Sequence, residues 1–112
     1  MSNMLTIPSY PKLLRQYPLL EGIPITYTNT ATVTATLPAQ TLTSQKLKNL
    51  FEVVPLFVVN SSGLVGFATL SSLGPNTNQF TVQFWSSPGT GISVAAGATL
   101  TATVIVALNG AR

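Results

Sequence analysis

Histidine, cysteine and aspartate are absent from this 112-residue chain, and charge of either sign is scarce at 6% of residues. Without His and Cys, a His-based triad, a Cys nucleophile and a zinc site as usually built are excluded, and so are disulfides. The only acidic side chains are Glu21 and Glu52. A glycosidase pair would need both of them flanking one sugar bond, but Glu21 falls in a proline-rich N-terminal segment and Glu52 at the start of a predicted strand. Ser-Lys catalysis would need a buried lysine beside a serine; Ser44 and Lys46 are neighbours in sequence but read as exposed. Two acids are too few for a carboxylate cage around calcium. Pro88-Gly89-Thr90-Gly91 lacks the lysine and the following helix of a phosphate-binding loop. The expectation is a non-enzymatic protein with no cofactor and no metal.

Long apolar runs are missing too. The longest, residues 104–108, is far short of the roughly 20 residues of a membrane-spanning helix. Residues 1–6 lack the basic start and apolar core of a secretory signal, so synthesis in a cytoplasm is expected. The net charge of +3 comes from Lys12, Arg15, Lys46, Lys48 and Arg112 against the two glutamates. These positive charges are scattered and form no run that would track phosphates, so nucleic acid is not an expected partner; Lys12 and Arg15 would be its best carriers.

A typical soluble domain carries about 25% charged residues. Here Thr, Ser, Asn and Gln must coat the surface, and neutral coats resist association less well than charged ones. One expectation is a surface largely covered by neighbouring subunits; the other is a small neutral soluble module.

What the chain does have is alternation. Phe80, Val82 and Phe84 alternate with Thr81 and Gln83. Ala98, Leu100, Ala102, Val104, Val106 and Leu108 alternate, at their start, with Thr99, Thr101 and Thr103. Period-two patterning puts apolar and polar side chains on opposite faces of a strand. Residues 78–109 therefore read as two half-buried antiparallel strands around the Pro/Gly turn at 86–91, with a short strand at 92–95. In residues 30–37 every even position is Thr and every odd one apolar, which makes 23–37 a strand region, with a break near Thr28-Asn29 and Pro38 as its stop. Residues 39–52 read either as a helical turn capped by Thr43 or Ser44, with Leu47, Leu50 and Phe51 facing the core, or as an irregular strand. Residues 53–60 form a strand with Pro55 near its start, 60–63 a turn, and 64–71 the return strand, in which Gly66 marks a bulge or a close backbone approach.

Seven or eight short strands with turns every 8–12 residues predict an all-β fold: a small antiparallel β-sandwich or barrel over residues 23–112. Residues 1–22 are expected to be an extended arm, because Pro8, Pro11 and Pro18 disfavour regular structure. An echo, Tyr10-Pro11-Lys12-Leu13-Leu14 and Tyr17-Pro18-Leu19-Leu20, places Tyr10, Lys12, Leu13, Leu14, Arg15, Tyr17, Leu19 and Leu20 as candidate partner-binding residues. The arm either packs on its own domain or reaches a neighbour. Trp85 is out of phase with Phe80, Val82 and Phe84, so it points to the Thr/Gln face. There it either caps the sandwich or sits in a subunit interface, or it stacks on a sugar.

The layout of residues 55–108 resembles small β-sandwich modules of bacteriophage virions. It consists of a Pro-Leu-Phe-Val-Val-Asn strand, a Ser/Gly turn, Gly-Phe-Ala-Thr, Phe-Thr-Val-Gln-Phe, a Gly-rich turn and a terminal Thr/Val strand. Such modules occur in decoration proteins, head fibres and tail tips, and the order is also similar to H-type lectin-like domains, which commonly trimerise. The resemblance implies a virion structural or attachment role, a homo-oligomer with a trimer favoured, capsid or other virion proteins as partners, and a glycan as an alternative ligand. It carries over no binding residue.

Overall fold

A computed structural model describes residues 19–112 of the protein. Among them there is no helix. Eight strands follow in order: β1 (Leu19–Thr28), β2 (Ala35–Thr36), β3 (Gln40–Thr43), β4 (Asn49–Asn60), β5 (Gly63–Leu73), β6 (Gln79–Trp85), β7 (Ser93–Val94) and β8 (Thr99–Ala111). Six of them make one antiparallel sheet in the order β1-β8-β4-β5-β6-β3, and β2 pairs with β7 apart from it. The chain is all-β, as the alternation predicts.

The long hairpin β4–β5 is the fold's corner. Its strands pair from Phe57↔Phe67 to Asn60↔Gly63. The earlier half of β4, Asn49 to Pro55, pairs with β8 alone, and the later half of β5 pairs with β6. The sheet thus curls on itself until its edge strands β1 and β3 meet across a seam. That seam holds a cleft of about 400 Å³ lined by Gly22–Pro24 on one side and Thr41–Thr43 on the other.

Inward-facing residues alternate along each strand and form one core. Phe80 and Val82 of β6, Val58 of β4, and Val104, Val106 and Leu108 of β8 are wholly inaccessible to solvent. Each such side chain contributes about 1.5–3 kcal/mol on burial. At one end the β2–β7 ladder brings Leu37, Ile92 and Val94 onto this core.

Several expectations need correction. β6 and β8 do not pair with each other: β6 lies between β5 and β3, and β8 between β1 and β4. The segment joining them crosses from one half of the curled sheet to the other instead of turning back as a hairpin. The Thr/apolar alternation of residues 30–37 yields only the two-residue β2. Asn29 takes over the preceding stretch: its Nδ2 donates to the carbonyls of Val33 and Val94 at 2.9 Å, and its Oδ1 accepts from the Ala31 amide. Local side-chain bonds replace the ladder there. No helical turn follows residue 44. Ser44 Oγ does accept from the Leu47 amide at 3.0 Å, in the manner of a cap, but β4 begins at Asn49, so Leu47 and Leu50 are buried and Phe51 is exposed. Pro55 sits in the middle of β4 rather than near its start, where the β4–β8 register shifts. The sheet also reaches further toward the N-terminus than the expected boundary, because Leu19, Leu20, Glu21 and Gly22 belong to β1.

Candidate functional site

Residues paired directly across neighbouring antiparallel strands project from the same face of a sheet. On the outer face this rule generates three adjoining rows. Gly22 pairs with Ile105, Ile105 with Phe57, Phe57 with Phe67 and Phe67 with Trp85, so one row runs across five strands. The row on one side is Leu20, Ala107 and Val54. The row on the other is Pro24, Thr103, Val59 and Leu64. Phe57 is 52% exposed and Leu64 71%, while Ile105, Phe67 and Trp85 are half-buried. Beyond Thr103 the same face turns to threonine, with Thr26 opposite Thr101 and Thr28 opposite Thr99. The outer face thus has an apolar, aromatic-rich end and a hydroxyl-coated end.

Of the charged side chains among the described residues, none lies in these rows. Two border them: Glu52 stands opposite Asn109 in the next row beyond Val54, and Lys46 lies at the rim, where its Nζ donates to the Leu20 carbonyl at 3.0 Å. Trp85 points to the Thr/Gln face, as its phase predicts, and its indole Nε1 donates to Thr69 Oγ1 at 2.8 Å. That bond satisfies the ring's one donor and lays the indole along β5. A hollow of about 190 Å³ lies beside it, lined in part by Gln83 and Thr36.

Leu19, Leu20 and Trp85 are the candidate residues within the described part. Leu20 and Trp85 fall at opposite ends of the apolar rows, and Leu19 turns inward opposite Leu108. Tyr10, Lys12, Leu13, Leu14, Arg15 and Tyr17 lie outside the described residues. Phe57, Phe67, Val54 and Ile105 escaped the sequence reading. For Val54 and Phe57 the signal was the stretch from Val53 to Val59, apolar on both faces with only Pro55 between: a strand apolar on both faces is one whose two faces are both suited to contact. Phe67 and Ile105 lie outside that stretch.

The two glutamates occupy opposite faces of the sheet. Glu21 is buried in the row of Val106, and Glu52 lies on the outer face opposite Asn109. They do not flank a common site. Glu21 closes the seam: its carboxylate accepts from Ser44 Oγ at 2.8 Å and from the Gln45 amide at 2.7 Å. No group of three or more His, Cys, Asp or Glu gathers among the described residues, and no helix there is long and apolar enough to cross a membrane.

Fold and face together define a small all-β protein built on a nearly closed, six-stranded antiparallel sheet. No family model matches the chain, and no curated protein or solved structure matches it either.

Proposed function

We propose that this protein is a non-enzymatic structural subunit of a virion, of the capsid-associated or decoration kind, which works by binding copies of itself and a shell protein. The observation that carries this reading is the five-strand apolar row ending in Phe57, Phe67 and Trp85. A contiguous exposed apolar patch marks an interaction surface, and aromatic residues are enriched at the centres of such surfaces. The low charge of the chain points the same way. Light scattering on the purified protein, followed by electron microscopy, tests it. A trimer or larger closed assembly, or rings and shells, is expected; a monomer at high concentration that does not bind particles would count against it.

A second reading, recognition of a receptor glycan, draws on the hollow that Trp85 and Gln83 line together. Trp85→Ala should then abolish retention on immobilised glycans without changing the native mass. Absence of binding to any glycan by the unaltered protein would remove this reading.

A further inference from the structure

The apolar rows of the outer face begin where β1 enters the sheet. Leu20 belongs to them, and the 18 residues before Leu19 join the sheet at that corner. Those residues carry Tyr10, Leu13, Leu14 and Tyr17 together with Pro8, Pro11 and Pro18. Proline-rich segments bearing aromatic and aliphatic side chains suit aromatic-lined surfaces, because they lose little conformational freedom on docking. Lys12 and Arg15 add cations that favour the faces of Phe and Trp rings.

Reach and direction decide whose surface is covered. Eighteen residues span at most about 60 Å, whereas the four strand spacings from β1 to β6 amount to about 19 Å. Length is therefore no obstacle to crossing the whole patch. β1 starts at the apolar rows and runs toward the threonine-coated end. A segment preceding it along the same line leaves the sheet, and because the rows run across the strands, covering those of its own chain requires a turn of about a right angle onto the outer face immediately before Leu19. A neighbouring copy's rows, set beyond the end of β1, need no such turn.

We infer that the N-terminal segment, residues 1–18, docks on the Phe57–Phe67–Trp85 face of a second copy of this chain. The inference rests on the self-association part of the proposed function and specifies its contact. Arm and patch on every copy make a head-to-tail contact, which closes into a ring or extends into an array according to the angle between copies.

The native absence of cysteine makes the test clean. Full-length Leu14→Cys protein is mixed with full-length Phe57→Cys protein and treated with a short bis-maleimide. A parallel mixture uses Thr101→Cys, which lies on the same face at its threonine end. Cross-links between chains several-fold more frequent with Phe57→Cys than with Thr101→Cys are expected. Equal or absent cross-linking would overturn the inference, as would a Leu14→Cys/Phe57→Cys double variant that links only within one chain. Trp85 is the one tryptophan, so its emission supplies a second readout. Leu13→Ser/Leu14→Ser/Tyr17→Ser in the full chain should shift it to the red and lower the native mass; unchanged emission and mass would also overturn the inference. Particle binding measured on the same variants is separate. If it survives while the cross-link fails, the virion role stands and the arm contact does not.

Discussion

The carboxylate of Glu21 on β1 accepts a hydrogen bond from Ser44 Oγ at 2.8 Å, joining groups 23 positions apart across the seam where the sheet's two edges meet. Both residues are buried, and Ser44 Oγ in turn accepts from the amides of Lys46 and Leu47. The cluster is fully satisfied, which is the condition under which a buried polar group is tolerated. It does at the seam what a ladder does elsewhere in the sheet.

Removing the carboxylate leaves the Gln45 amide and the Ser44 hydroxyl without their acceptor. Glu21→Ala should cost about 1–3 kcal/mol, visible as a lower urea midpoint. Glu21→Gln keeps one acceptor oxygen and should lose less. If the two variants were equally stable, or both as stable as the parent, the seam would not depend on this cluster.

Asn29 is 1% exposed and ties residues 31–33 to β7 and to the turn after it. Asn29→Asp keeps the shape but turns an oxygen toward the carbonyls of Val33, Val94 and Ala95. A loss of at least about 2 kcal/mol is expected, with the amides of β2 and β7 exchanging first in hydrogen-exchange measurements. Native-like protection at Leu37 and Val94 would contradict this.

Gly66 faces the backbone of Trp85 so closely that a Cβ would run into the Trp85 carbonyl and meet Ile92 Cδ1. Gly66→Ala should therefore push β5 and β6 apart at the corner, with a cost of about 1–3 kcal/mol and a changed near-ultraviolet circular dichroism from Trp85. An unaltered spectrum together with unaltered stability would mean that the strands sit further apart than the structure shows.

Phe57 projects half its surface into solvent. Phe57→Ser should change the monomer's stability by no more than about 1 kcal/mol and weaken self-association at least about tenfold, a change of about 1.4 kcal/mol. Sedimentation velocity over a concentration series measures it. An unchanged distribution of species would place the interface elsewhere.

How much of this was legible depends on how local the determinant is. The inward sets Phe80, Val82, Phe84 and Ala102, Val104, Val106, Leu108 follow from alternation within single strands, and the structure buries all seven. Trp85's outward direction follows from the same phase. Strand pairing does not, because it depends on which segments meet after the chain has folded. Residues 30–34 carry a better strand pattern than residues 49–52, yet the latter are strand because β8 lies beside them. Ser44 read as a helix cap, and its hydroxyl makes the bond of one; tertiary pairing of the next residues decided their conformation. The aromatic row was hidden for the same reason: Phe57, Phe67 and Trp85 lie in three different strands, and only the register aligns them.

The pairing of β1 with β8 also fixes a sequence of events. Thr28 and Thr99, whose hydroxyls meet at 2.9 Å, are 71 positions apart, and all ten residues of β1 have their partners in β8. During synthesis β1 emerges early and has no ladder partner until β8 has been made. Contacts between such distant positions slow folding, since closing the loop between them must precede any gain from pairing. The sheet is therefore completed late on the ribosome or after it, and until then the unpaired edge of β1 is open to whatever strand or chaperone reaches it first.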